Sequence, residues 1–241
     1  MDATRFDDIP GIECWPIDAR LHVEIARDPV PDAAPADSPI AREWQRLQAL
    51  NPRLFDGTLL SVRGFDPASQ HILAKRERYQ RLAVQPGINT GVRLLGVTAI
   101  IVRRDGPVRV LLGRRGEHVR DYPGLWEFGP SGGVVAPPLS IQRLDAPLLR
   151  AHLEDEVTEE LGPGADVHAA TPVMLIRDAL ARSDDVCFLM ELASDFTHEP
   201  NWEYSEVMWL EVGDLARFEQ AECENIIPPT RALMRLLEWQ N

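Results

Sequence analysis

Residues 152–162 read H-L-E-D-E-V-T-E-E-L-G. Five carboxylates stand within seven positions, Glu154, Asp155, Glu156, Glu159 and Glu160, with no Lys or Arg among them. Through the same segment Leu149, Leu153, Val157 and Leu161 recur every fourth residue, the apolar stripe of an amphipathic helix. The pattern predicts a helix over 147–161. Gly162-Pro163 ends it, glycine for a left-handed cap and proline to forbid continuation. Successive helical residues turn by about 100°. With Leu153 at zero, Glu160 falls at about −20°, inside the apolar stripe; Glu156 falls at about −60°, at its edge; Glu159 falls at about −120°, beside it. An unpaired carboxylate among leucines is costly. The last turn of a helix disfavours anions, and like charges at i and i+4 repel. Three penalties at one place ask for a compensating cation, and clustered carboxylate oxygens suit a hard divalent ion, Mg²⁺ or Mn²⁺. Glu154 and Asp155 are assigned to a solvated acidic face. That is also the competing account of the whole run, because E-x-x-E-E is common on surface helices.

The rest of the chain sets the context. It has 241 residues, 44% of them hydrophobic and 26% charged, enough apolar content for a sizeable core in one large domain or two small ones. The net charge of −13 argues against nonspecific nucleic-acid binding, which needs a basic face. An acidic protein can still handle phosphorylated ligands when a divalent cation supplies the positive charge. Cys14, Cys187 and Cys223 form no C-x-x-C pair and are odd in number, so reduced thiols in a cytoplasmic protein are expected. M-D-A-T-R-F-D-D-I-P does not resemble a signal peptide, and no apolar run approaches a membrane span. None of the six histidines pairs at metal-ligand spacing, so zinc is not expected.

Along the chain, L-H-V-E-I-A (21–26) alternates as a short strand, and D-P-V-P-D-A-A-P-A-D-S-P (28–39) is a loop. Residues 40–50 carry Ile40, Trp44, Leu47 and Leu50 at helical spacing, with Ser38 as N-cap and N-P closing the helix. A strand follows Asp56-Gly57. H-I-L-A-K-R-E-R-Y-Q-R-L (71–82) fits either a strand or a helix. From residue 92 the texture becomes β-branched: V-R-L-L-G-V-T-A-I-I-V-R-R, a D-G-P turn and V-R-V-L-L-G-R-R predict a hairpin. D-Y-P-G-L-W-E-F-G-P-S-G-G-V-V (121–135) follows. T-P-V-M-L-I-R, D-V-C-F-L-M-E-L and W-E-Y-S-E-V-M-W-L-E-V are further strands, and T-R-A-L-M-R-L-L-E-W is a closing helix. A boundary is expected near Pro86 to Gly91, dividing an N-terminal region, 1–88, from an α+β domain, 89–241.

A hairpin, then L-W-E-F-G-P-S-G-G, then a helix carrying E-x-x-E-E-x-G resembles the Nudix hydrolase family. The family box reads G-x5-E-x7-R-E-U-x-E-E-x-G-U, with U a bulky apolar residue. Gly133 matches the box glycine, and Glu156-Val157-Thr158-Glu159-Glu160-Leu161-Gly162 match E-U-x-E-E-x-G. The resemblance covers roughly residues 92 to 215. It implies a mixed β-sheet sandwiched between helices, here preceded by a smaller N-terminal α+β region. It also implies Mg²⁺ held by Glu156, Glu159 and Glu160 with the backbone carbonyl of Gly132. The implied activity is hydrolysis of a nucleoside diphosphate linked to another moiety. Metal ions neutralise the pyrophosphate, orient the bridge and acidify a bound water.

Three departures matter. Gly133 to Asp155 spans 155 − 133 = 22 positions, against 14 in the box, an insertion of about eight residues. Leu139 stands where the box has its loop Glu, and Asp155 replaces the box Arg, which in the family braces the catalytic loop. Loop order must therefore come from elsewhere. The insertion, the missing Arg and E-W-Q-R-L-Q-A-L-N-P-R-L-F-D-G-T near the N-terminus resemble the subgroup that cleaves UDP-glucose and UDP-galactose to UMP and a sugar 1-phosphate. Alternatives are another nucleotide substrate such as ADP-ribose, or a non-catalytic nucleotide-binding module that regulates a partner.

Outside the box, Glu206 is the candidate extra ligand or general base, with Glu203 as the alternative. One of Arg114 and Arg115 faces the cleft by period-2 alternation and meets substrate phosphates. Arg177 is a weaker candidate for the same role. Solvated loops and strand ends are equally good accounts of these residues. Trp126 and Phe128 are core by pattern, while Tyr122, Trp44 or Phe55 could stack on a base or simply pack. A small-molecule nucleotide is the expected partner, with neither nucleic acid nor membrane; the oligomeric state is not readable from the sequence.

Overall fold

In the computed structural model, which describes residues 2–85, 87–162, 164–165, 167–192 and 198–237, the acidic stretch is the second half of a helix, Ala146–Leu161. Asp145 caps its start by accepting from Leu148 N at 3.1 Å, which satisfies a donor that a first turn leaves open. Pro147 sits where its missing N–H costs nothing. Gly162 ends the helix at φ +102°, a conformation side chains resist; Pro163 lies outside the described residues.

The strands in chain order are β1 Thr4–Phe6, β2 Ile9–Pro16, β3 His22–Ile25, β4 Thr58–Asp66, β5 His71–Arg78, β6 Leu94–Arg103, β7 Arg109–Arg115, β8 Trp126–Glu127, β9 Ser131–Gly133, β10 Arg143–Asp145, β11 Val167–Asp178, β12 Ser183–Leu192 and β13 Tyr204–Glu211. The helices are α1 Pro39–Leu50, α2 Tyr79–Ala83, α3 Ala146–Leu161, α4 Leu215–Glu222 and α5 Pro228–Leu236. Glu238 and Trp239 of the expected closing helix lie outside the described residues. No described helix is long and apolar enough to cross a membrane.

The strands hydrogen-bond in the order β1-β2-β11-β12-β6-β4-β5-β3-β10, with β7 bridging β6 to β13 and β8, and β9 on β6. β12 runs parallel to β6 from Ser183↔Leu94 to Glu191↔Val102, while β11–β12 and β7–β13 are antiparallel. The sheet is mixed, as expected. Alternation along β6 splits its side chains between two cores. Val97, Ala99 and Ile101 pack with Leu149, Leu153 and Val157 of α3. Ile100 and Val102 pack with Leu215 of α4 and Leu233 of α5. Helices therefore cover both faces, and the architecture is the expected α+β sandwich.

Residues 1–88 extend this sheet on both sides. β2 pairs with β11 from Pro16↔Met174 to Ile12↔Asp178, and β4 meets β6 at Ser61↔Leu94. The ambiguous segment 71–82 is both things in turn, β5 and then α2. α1 has the expected Ser38 cap, its Oγ accepting from Ala41 N at 3.1 Å. Trp44 of α1 packs on Ala83 and Val84 in a small satellite core. The expected boundary falls in the connection from α2 to β6, with Pro86 outside the described residues.

Candidate functional site

The three box carboxylates sit on α3 as the helical wheel requires. Glu160 is 5% exposed, among the leucines; Glu156 is half-buried and Glu159 is exposed. Glu154 is occupied by Arg150 at 2.6 Å, and Asp155 faces solvent. Burial drives the Glu160 carboxyl well above the ordinary range, and the charges of Glu203, Glu127 and Glu156 add to it. Burial also raises Glu156, although His152 opposes the rise. Among the described residues neither Glu160 nor Glu203 has an ion-pair partner.

Glu203 belongs to this group and Glu206 does not. Burial, followed by the charges of Glu156 and Glu159, pushes Glu203 up to about 7. Glu206 is 57% exposed and its nearest cation is Arg114 at 4.0 Å. What selects Glu203 is the turn before β13. The Asn201 side chain donates to Glu160 O at 2.7 Å and accepts from Glu203 N at 2.9 Å and Tyr204 N at 2.8 Å. Gly116 N donates to Glu203 O at 2.7 Å. Asn201 thus ties the turn to the C-terminal end of α3. An Asn two residues before a Glu is a turn signal legible in sequence, but its attachment to α3 is not.

The glycine loop lies against α3. A Cβ on Gly132 would meet Glu156 Oε1 at 2.1 Å, so the carboxylate lies against the glycine backbone and a larger residue there would displace it. His152 Nε2 lies 3.0 Å from Gly133 O and 3.7 Å from Glu156 Oε1. The inserted segment behind this loop is held by a residue that the sequence did not flag. Arg76, on β5, is 2% exposed. It donates to Pro137 O at 3.0 Å, Pro138 O at 3.0 Å, Ile141 O at 2.6 Å and Ala26 O at 3.0 Å. Five guanidinium donors in a fixed fork can saturate several carbonyls at once. The N-terminal region thereby fixes the segment that follows the glycine loop.

The arginine candidates separate. Arg115 faces the cleft, as alternation allowed for one of the pair. It is committed there: Nη1 bonds Glu127 and Nε donates to Asp121 O at 2.9 Å. Tyr204, fully buried, donates its hydroxyl to the same Glu127 oxygen at 2.8 Å. Arg114 points away, half-exposed, its Nε on Gly124 O at 3.1 Å and its guanidinium 6.0 Å from the Trp126 ring. Arg177 is not near the carboxylates. It grips the fully buried Asp184 through two bonds of 3.0 and 2.8 Å and reaches Glu13 at 3.4 Å. Its work is neutralising Asp184, since an unpaired buried charge would be costly. Of the stacking candidates, Tyr122 donates to Asp178 at 2.6 Å. Trp44 is buried against Tyr79 with centroids 6.0 Å apart. Phe55 is 76% exposed and lies over Gly57. Phe128 is fully buried, as its pattern predicts, and Trp126 is half-buried.

Glu160, Glu203, Glu127 and Arg115 share one cleft of about 410 Å³ with Leu47, Arg53, Leu54 and Tyr79 of the N-terminal region. Its floor is acidic and its outer wall apolar. Among the described residues no three His, Cys, Asp or Glu side chains are gathered tightly enough to form a ready-made metal cage. The donors are nonetheless hard carboxylate and carbonyl oxygens with uncompensated charge, the chemistry a divalent cation satisfies. Glutamate side chains have the rotatable bonds to close around one.

No protein-family profile matches the sequence, and no curated protein matches it. Similar solved structures include DR0079 from Deinococcus radiodurans, with TM-score 0.49 and 17% identity, covering 74% of this chain and 97% of that one. A NUDIX hydrolase from Alicyclobacillus acidocaldarius aligns at TM-score 0.44 and 16% identity over 59% of this chain and 90% of that one. A MutT protein from Methanosarcina mazei aligns at TM-score 0.39 and 20% identity, again over 59% and 90%. Likeness this distant leaves the activity to the chain's own residues.

Proposed function

We propose that this protein is a Mg²⁺-dependent Nudix pyrophosphohydrolase acting on a nucleoside diphosphate linked to another moiety, with UDP-glucose or UDP-galactose as substrate and UMP and a sugar 1-phosphate as products. The observation that carries the proposal is Glu160, a carboxylate almost fully buried in a leucine stripe, beside Glu156 and Glu203, with no ion-pair partner among the described residues and with Arg115, already committed to Glu127, as the cation acting on it. A buried carboxyl with no ion-pair partner either takes up a proton or meets a bound cation, and one that shares a cleft with further carboxylates is a candidate metal ligand. The donor set, Glu156, Glu160 and the Gly132 carbonyl, fits Mg²⁺ or Mn²⁺, with Glu159 on the exposed rim. When bound, the ion supplies charge neutralisation for the pyrophosphate and a more acidic water.

The chain's own groups do the rest. Glu203, fixed by Asn201 over the end of α3, accepts the proton of the attacking water. Arg115 holds Glu127 in place, His152 lies against Gly133 of the glycine loop, and Arg76 fixes the segment that follows it. Residues 1–88 close the cleft from outside through Leu47, Arg53, Leu54 and Tyr79, so they shape the substrate site rather than act alone. A cytoplasmic location belongs to the same proposal and agrees with three unbridged cysteines.

The test is hydrolysis of UDP-glucose, UDP-galactose and ADP-ribose with and without Mg²⁺, products resolved by chromatography. UMP and sugar 1-phosphate formed only with metal support the whole proposal. Metal-dependent cleavage of ADP-ribose alone removes the substrate and keeps the chemistry. Tight nucleotide binding without turnover would make the protein a regulatory module.

A further inference from the structure

Trp202 is 47% exposed, whereas Trp15 and Trp44 are buried. Its backbone is nevertheless held rigidly. It lies between Asn201, which donates to Glu160 O at 2.7 Å, and Glu203, whose carbonyl accepts from Gly116 N at 2.7 Å. Gly116 itself leaves no slack, because a Cβ there would meet Trp202 O at 2.1 Å. The indole thus stands half-exposed on a fixed backbone in the same turn as Glu203.

The ring lines the same cleft as Glu160 and Glu203. The Arg53 guanidinium lies over it, Cζ 5.3 Å from the ring centroid. Arg53 comes from the N-terminal region, just after α1. It has no carboxylate partner among the described residues. A guanidinium resting on an aromatic face through a cation–π contact is held weakly at an exposed site. It can leave for a phosphate, with which it forms stronger charge-assisted bonds. The vacated indole face then suits a planar base, and Leu47 and Leu54 extend the apolar wall beside it.

We propose that Trp202 and Arg53 form the nucleotide end of the substrate site: the base stacks on Trp202, and Arg53 moves onto the phosphate attached to that nucleoside. The proposal rests on the diphosphate substrate given above and adds where the nucleoside half lies. Stacking on a single aromatic tolerates every base, so the platform sets affinity for nucleotides as a class. Discrimination among bases must come from other groups.

The test is calorimetric titration of the full chain in Mg²⁺ buffer with UMP, AMP and ribose 5-phosphate, none of which contains a diphosphate to cleave. The wild type is expected to bind UMP and AMP at least about tenfold more tightly than ribose 5-phosphate. Trp202→Ala should erase that difference while leaving ribose 5-phosphate unchanged, and Trp202→Phe should restore most of it. Arg53→Ala should weaken all three ligands alike. Unchanged melting temperatures will show that the variants fold. Ribose 5-phosphate bound as tightly as UMP, UMP affinity unmoved by Trp202→Ala, or no binding of any of the three would overturn the proposal. Binding of UMP that depends on Trp202, in a preparation that hydrolyses no diphosphate with Mg²⁺, would sink the hydrolase proposal and leave the stacking platform standing.

Discussion

Replacing Glu160 by Gln separates the two costs that meet at this residue. At 5% exposure and without a cation partner, the carboxylate pays desolvation that a neutral amide of the same shape largely avoids. The amide also has acceptors close by, because the charges of Glu203, Glu127 and Glu156 already act on this site. Removing an uncompensated buried charge is worth roughly 1–3 kcal/mol here, and for a chain of this size about 2–4 °C in melting temperature per kcal/mol. In EDTA at pH 7.5, Glu160→Gln should therefore melt several degrees above the wild type. Adding Mg²⁺ should reverse the order. At a hundredfold excess over Kd a ligand that binds only the folded state adds about 2.7 kcal/mol, and the wild type should gain it while the variant gains little. Hydrolysis should be lost with the fold intact. Differential scanning calorimetry of both proteins, with EDTA and with Mg²⁺, gives the four values needed. A variant that melts below the wild type in EDTA and is stabilised by Mg²⁺ to the same extent would refute the link between burial, missing cation and metal.

Three further outcomes follow from the same geometry. Glu203 titrates at about 7 in the fold against about 4.3 when unfolded, so between those values the folded state holds a proton that the unfolded chain has released. Metal-free stability should fall as pH rises through that window, by at most about 1.4 kcal/mol per pH unit and less after solvent screening; urea titrations at pH 5, 6, 7 and 8 should show the decline, reduced in Glu203→Gln. Arg76→Met should cost about 2–4 kcal/mol by urea unfolding, because four carbonyls lose a buried donor, and should lower kcat through the glycine loop even where the protein remains folded. Arg177→Ala should destabilise by about 3–5 kcal/mol, leaving Asp184 buried with only Arg93 at 3.5 Å, while any folded fraction keeps its normal KM, since Arg177 is remote from the cleft.

The periodic parts of this molecule were legible in its sequence. The spacing of Leu149, Leu153 and Val157 placed Glu160 inside the apolar stripe, and the fold buries it there. The caps of α1, the strands β6, β7, β11, β12 and β13 and the mixed sheet between helices followed from alternation and turn residues. These are local signals, carried by neighbours within a turn or two. β2 escaped notice because Pro10 and Gly11 interrupt its pattern; it is a strand only because β11 supplies the partner edge. For the extra carboxylate the sequence favoured Glu206, which abuts the strand, over Glu203, three residues earlier in the same segment. Asn201, reaching 41 positions back to Glu160 O, sets Glu203 rather than Glu206 beside the acidic helix. Arg76 was one charge among several in a segment that fitted either a strand or a helix, until carbonyls 61 to 65 residues away closed around it. Arg115 and, less strongly, Arg177 were candidates for substrate phosphates, yet Glu127 and Asp184 claim them. Which groups are costly was readable from the chain, since burial of a helical stripe follows from its period. Only the tertiary structure decided which groups offset that cost and which remain open for a ligand, because pairing depends on contacts between segments far apart in the chain.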